Sequence, residues 1–100
     1  MQFRRTPQFL EDFGGLDEAD KTAVDEAFPN VVLALQGNVT LFSHHHIKKM
    51  QGWEGIWEGI WEGHVKGNNL CFTFHYDQTA NGEKTCFFRR VGTHKIYKNP

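Results

Sequence analysis

Cysteine occurs only twice, at Cys71 and Cys86, and proline three times in 100 residues. Two cysteines cannot build the disulfide framework of a small secreted scaffold. No positively charged N-terminus leads into an apolar run, so no signal peptide is expected. The expectation is a cytoplasmic protein with reduced thiols. Long apolar runs are missing too. The best candidate, Val31 to Leu35, is closed by Gln36, Gly37 and Asn38, far short of the about 20 residues that cross a bilayer. No membrane association is expected. Neither sign of charge dominates, with 11 Lys+Arg against 12 Asp+Glu. The length suits one domain over residues 1–100 and excludes a second catalytic domain.

The near-neutral total hides an asymmetry. Residues 1–30 carry three basic and seven acidic side chains; residues 31–100 carry eight basic and five acidic. Three of those five acids, Glu54, Glu58 and Glu62, lie in one short repeat. Contact with a polyanion would therefore run through the second half, although scattered surface charge is the competing account.

Thr6 followed by Pro7 reads as an N-cap with proline in the first helical position, and Phe9, Leu10 and Phe13 share a face. Gly14 and Gly15 end that helix. Asp17 is a second N-cap, and Ala23, Val24, Ala27, Phe28, Val31, Val32 and Leu35 recur at helical spacing. Pro29 falls within this pattern, where its missing N–H must kink the helix or split it after Ala27, and a kink is expected.

From Gly52 the chain repeats with a period of four, placing tryptophan at 53, 57 and 61. The interleaved glycines argue against a helix, each costing about 1 kcal/mol relative to alanine. An extended chain puts tryptophans and glycines on one face, glutamates, isoleucines and His64 on the other. The strand proper is expected over Ile60 to Val65. A turn at Asn68 and Asn69 leads to a strand with Leu70, Phe72, Phe74 and Tyr76 on a core face and Cys71, Thr73 and His75 opposite. Asn81-Gly82 turns the chain again into a strand over Lys84 to Val91. One further strand is expected at Gln2 to Arg5.

The segments Arg5-Thr-Pro-Gln-Phe9, Lys48-Lys-Met-Gln-Gly52, Ile60-Trp-Glu-Gly-His-Val65, Asn69-Leu-Cys-Phe-Thr-Phe74, Arg89-Arg-Val-Gly-Thr-His94 and Lys98-Asn-Pro100 resemble the successive landmarks of the RelE/ParE toxin superfamily. Gly63-His-Val65 and Gly92-Thr-His94 look most like its YafQ-type, histidine-bearing branch. The resemblance implies an α+β fold, an N-terminal helical hairpin packed on a curved antiparallel β-sheet, with a basic cleft. It also implies the toxin of a type II toxin–antitoxin system, a ribosome-dependent mRNA endoribonuclease. Its partners would be a cognate antitoxin, the ribosome and mRNA.

The family's chemistry is attack of a ribose 2′-hydroxyl on the adjacent phosphate, which calls for a base, an acid and cations but no metal or cofactor. His94 and His64 are the acid and base candidates, since imidazole titrates near neutrality. A histidine ending a strand, or exposed on one, is the bland alternative. Arg90, or Arg89 beside it, would neutralise the phosphate through a bidentate fork, strand alternation allowing only one to face the cleft. Lys48 and Lys49 are RNA-binding candidates, and Tyr97 would stack on a base or steady the substrate; solvated lysines and a packing tyrosine compete with these roles.

Three departures from the family stand out: Cys71 where many relatives carry arginine, the extra tryptophan-glutamate-glycine unit, and the near-neutral charge. His44, His45 and His46 lack any recognised metal-ligand spacing and read as a solvated linker. Cys71 and Cys86 are candidates to face one another across adjacent strands, and His75 is too far along the strand to activate Cys71. Two other functions stay open: a non-catalytic inhibitor of DNA gyrase of the ParE kind, and an inactive toxin homologue.

Overall fold

The computed structural model describes residues 1–51, 59–67 and 69–100. The first two copies of the repeat, and the Asn68 half of the expected turn, lie outside the described residues. The chain runs β1 (Gln2–Arg5), α1 (Pro7–Gly14), α2 (Glu18–Leu35), α3 (Val39–His44), β2 (Lys48–Lys49), β3 (Trp61–Lys66), β4 (Leu70–Gln78) and β5 (Lys84–Gly92), then a 3₁₀ helix (His94–Lys98). These elements form a compact α+β domain around one five-stranded sheet of order β1-β5-β4-β3-β2.

Local chemistry sets the helix starts. The Thr6 hydroxyl accepts from the Phe9 amide at 3.1 Å, and the Asp17 carboxylate accepts from Asp20 at 2.8 Å. Caps of this kind are each worth about 1 kcal/mol. Asn38 does the same for α3 through the Leu41 amide, a third helix that the apolar spacing did not reveal. α2 runs through Pro29 without splitting after Ala27. Buried Phe28 and Val31 on either side hold that stretch, and their packing outweighs the lost backbone hydrogen bond.

The sheet is mixed rather than wholly antiparallel. β3, β4 and β5 form the expected meander, but β1 lies parallel to β5, with Gln2 opposite Thr85 and Arg5 opposite Phe88. The intervening helices and meander supply the long crossover that a parallel pair requires.

One face of the sheet is closed by α1 and α2 over an aromatic core of Phe9, Phe28, Phe72, Phe74 and Phe88. Phe28 sits 4.8 Å from Phe88 and 5.5 Å from Phe72, centroid to centroid. Gly63 lies opposite Phe72 on β4. A Cβ there would stand 2.4 Å from the Phe72 ring, so glycine in this copy of the repeat is a packing requirement. The other face is partly covered as well. The 3₁₀ helix and Pro100 fold over β4, leaving Cys71 and Thr73 fully buried, with the Thr73 hydroxyl donating to the Pro100 carbonyl at 3.5 Å.

Candidate active site

β3 alternates as its pattern requires: Trp61, Gly63 and Val65 point to the aromatic core, Glu62 and His64 to the opposite face. Matching core face to core face across the hairpin sets His64 directly opposite Cys71. Beyond β5, Thr93 caps the 3₁₀ helix by accepting from the Lys95 amide, which places His94 at its first position. The outcome is a row of rings. His46 lies 5.3 Å from His64, His64 5.8 Å from His94, and His94 5.2 Å from Tyr97, the last two pairs being edge-on.

Each member is held differently. The His64 Nδ1 bonds the Gly67 carbonyl at 3.0 Å, so Nδ1 carries the proton and Nε2 offers the lone pair. Burial lowers the His64 pKa from its ordinary value, with His46 and His94 acting in the same direction, against the Gly67 carbonyl and Glu62. His64 is therefore neutral at pH 7. His94 is exposed, with Nε2 at 3.7 Å from the Cys71 sulfur. The Tyr97 hydroxyl is buried without a hydrogen bond of good geometry, and burial, with Cys71 and Glu62 close by, holds its pKa far above the usual phenol value. Tyr97 thus braces His94 edge-on. Burial also raises the Cys71 thiol, so Cys71 is protonated at neutral pH.

His45 is not solvated linker. It is 4 % exposed, its Nδ1–H donates to the His64 carbonyl at 2.9 Å, and its own carbonyl accepts from the His64 amide at 2.7 Å. This reciprocal clasp ties the end of α3 to β3 at His64. His46 follows in the left-handed region, φ 51°, which turns its ring toward His64.

The arginines stand elsewhere. β5 carries one extra residue where Thr73 pairs with Arg90 and Phe74 with Phe88. This bulge breaks the alternation, and both Arg89 and Arg90 reach the C-terminal residues, contrary to the expectation that only one would face a common site. Arg90 grips Asp12 of α1 with both arms of its fork, at 2.7 and 3.1 Å, and the Asn99 carbonyl at 3.1 Å. Arg89 donates to the Pro100 carbonyl and contacts the His75 ring, each at 3.0 Å. The two line a cavity of about 250 Å³ with Thr6, Gln8, Asn99 and Pro100, which neither His64 nor His94 borders.

Lys48 and Lys49 form the short edge strand β2 against Glu62 and Trp61. Lys48 stands 3.9 Å from the Glu62 carboxylate, two residues from His64. Of the basic residues singled out in the sequence, it is the one placed beside the histidine row. Cys71 and Cys86 do not face one another: Cys86 pairs with Tyr76, and Cys71 with Gly92 and His64. Glu62, His46 and Cys71 escaped the sequence reading as site members. Facing rules alone already placed Cys71 and Glu62 on the His64 side; nothing in the sequence announced His46.

Comparison with protein-family models, with curated proteins and with solved structures returns no match.

Proposed function

We propose that the chain is a metal-independent endoribonuclease acting on mRNA in the ribosome, the toxin of a toxin–antitoxin pair, as its resemblance to the RelE/ParE superfamily implies. The observation that carries this reading is the His64–His94 pair, two imidazoles from distant parts of the chain with ring centroids 5.8 Å apart. Cleavage by a neighbouring 2′-hydroxyl needs one base and one acid close together. His64, neutral and with Nε2 available, takes the proton from the 2′-hydroxyl as the 2′-oxygen bonds to phosphorus. The P–O5′ bond breaks, and the leaving oxygen takes its proton from the exposed His94 ring. The products are a 2′,3′-cyclic phosphate and a 5′-hydroxyl. Lys48 supplies cationic charge beside the pair, Tyr97 orients His94, and Glu62 supports the imidazolium that forms on His64. Arg90, bound to Asp12, joins α1 to β5; the phosphate role therefore falls to Lys48.

Primer-extension mapping of a reporter mRNA, with and without translating ribosomes, tests the reading against the His94→Ala variant. Cuts that require ribosomes and fall by about 10²-fold or more in the variant are expected. No cleavage by folded wild-type protein under either condition would refute the nuclease, and gyrase inhibition would be measured next.

A further inference from the structure

The same corner of the fold adds to the two histidines of the nuclease reading a third donor, the Cys71 sulfur, that this reading does not use. One ring nitrogen from each of His64 and His94 and the Cys71 sulfur lie within 4.8 Å of one another. We propose that His64, Cys71 and His94 form a binding site for a zinc-class ion, a His₂Cys set with the fourth coordination position open.

Geometry makes the case. Tetrahedral zinc with Zn–S of about 2.3 Å and Zn–N of about 2.0–2.1 Å separates a sulfur ligand from a nitrogen ligand by about 3.6 Å. The Cys71 sulfur and His94 Nε2 stand 3.7 Å apart. Two of the three ligands are cross-strand neighbours, so the backbone ladder sets their spacing, and the third follows a capped turn. The supporting contacts are those of a metal ligand shell. The Gly67 carbonyl fixes the His64 tautomer through Nδ1 and leaves Nε2 to bind, the arrangement in which histidine ligands are oriented from behind. The buried Tyr97 hydroxyl, lacking a well-formed bond, is a ready donor to a thiolate.

Nitrogen and sulfur donors select zinc, cobalt or copper over magnesium or calcium. Binding breaks the Cys71 S–H bond, releases that proton to solvent and forms one metal–sulfur and two metal–nitrogen bonds in place of metal–water bonds. Among the described residues no fourth histidine, cysteine or carboxylate joins the cluster, so water completes the shell. Both imidazole lone pairs needed for proton transfer are then occupied. Zinc silences the nuclease, a consequence that rests on the proposed function, whereas the binding itself does not.

The test is titration of reduced, chelator-treated full-length protein with Co²⁺ alone, followed by absorption. A thiolate-to-cobalt charge-transfer band and tetrahedral visible bands that saturate at a single equivalent, and that Zn²⁺ abolishes, are expected. The band should vanish in Cys71→Ser. His94→Gln alters an exposed residue and so leaves the fold intact. It should weaken cobalt binding by more than the about 10- to 100-fold typical of losing only an outer-shell contact. No band from folded wild type, a band surviving in Cys71→Ser, or unchanged affinity in His94→Gln overturns the site. Ribosome-dependent cleavage measured with saturating Zn²⁺, then with chelator, tests the silencing separately. Cobalt binding without cleavage under any condition refutes the nuclease and retains the site; cleavage indifferent to zinc refutes the silencing.

Discussion

Gly63→Ala is the most incisive perturbation of this fold. The added methyl would sit 2.4 Å from Cζ and 2.7 Å from Cε1 of Phe72, where carbon atoms rest at about 3.5–4.0 Å. More than an ångström must be absorbed. Phe72 is fully buried and bounded by Phe28, Phe74 and Phe88 at 5.5, 5.9 and 6.0 Å, so its ring has no free direction. Overpacking of this kind costs about 1–3 kcal/mol, and a pinned ring belongs at the upper end. Against it, alanine lowers the entropy of the unfolded chain, a gain of about 0.4–1 kcal/mol. Sterics win by about 2 kcal/mol. With a urea slope of about 1–2 kcal/mol/M, the unfolding midpoint should fall by about 1–2 M, and the melting temperature by about 8–16 °C. Urea titrations followed by tryptophan fluorescence and circular dichroism would read this. Adding Phe72→Leu should cost less in the Gly63→Ala background than alone, a coupling of at least about 0.5 kcal/mol. An unchanged midpoint, or strict additivity of the two substitutions, would refute the close approach.

Asp12→Ala removes the partner of the Arg90 fork and an acceptor for the Val91 amide at 3.3 Å. Because the arginine keeps some solvent contact, the loss should be about 1–3 kcal/mol, below that of a fully buried pair, read from urea midpoints with β5 amide exchange as the local probe. Acid should also weaken the fold. Burial lowers the pKa of both His64 and His75, the latter also repelled by Arg89. The unfolded chain therefore takes up protons near pH 6.5 that the native state refuses. Stability should be full above about pH 7 and decline as the pH falls through about 6.5, and His75→Gln should flatten the slope; a midpoint constant across that window would disprove the linkage.

Much of the architecture was written in short-range chemistry. Thr6-Pro7 and Asp17 announced their helices because capping is local, and the β4–β5 hairpin followed from period-two runs on either side of Asn81-Gly82. α3 stayed hidden because six residues carry too little periodicity, its Asn38 cap notwithstanding. The parallel docking of β1 has no local signature, since its partner lies over eighty residues away. The candidate site was legible in part. His64 and His94 were named from the motifs that bear them, and pairing Trp61 and Gly63 with Phe74 and Phe72 necessarily sets His64 across from Cys71. The bulge at Arg89 was not legible, and with it went the rule that only one arginine could face a given site. Nor did a run of three histidines disclose that its middle member clasps a strand while the third joins the ring row.

The pairing of β1 with β5 bears on how the molecule comes into being. A strand at residues 2–5 whose partner spans residues 85–88 must wait, during synthesis, until residues 85–88 have been made. Helix α1 waits too, since the Thr6 amide bonds the Phe88 carbonyl and Asp12 bonds Arg90. Closing so long a loop is an entropic cost met only late. His94 lies beyond β5 again, so the histidine row assembles after the sheet does. The row of His46, His64, His94 and Tyr97 rings therefore forms only once translation has passed residue 97.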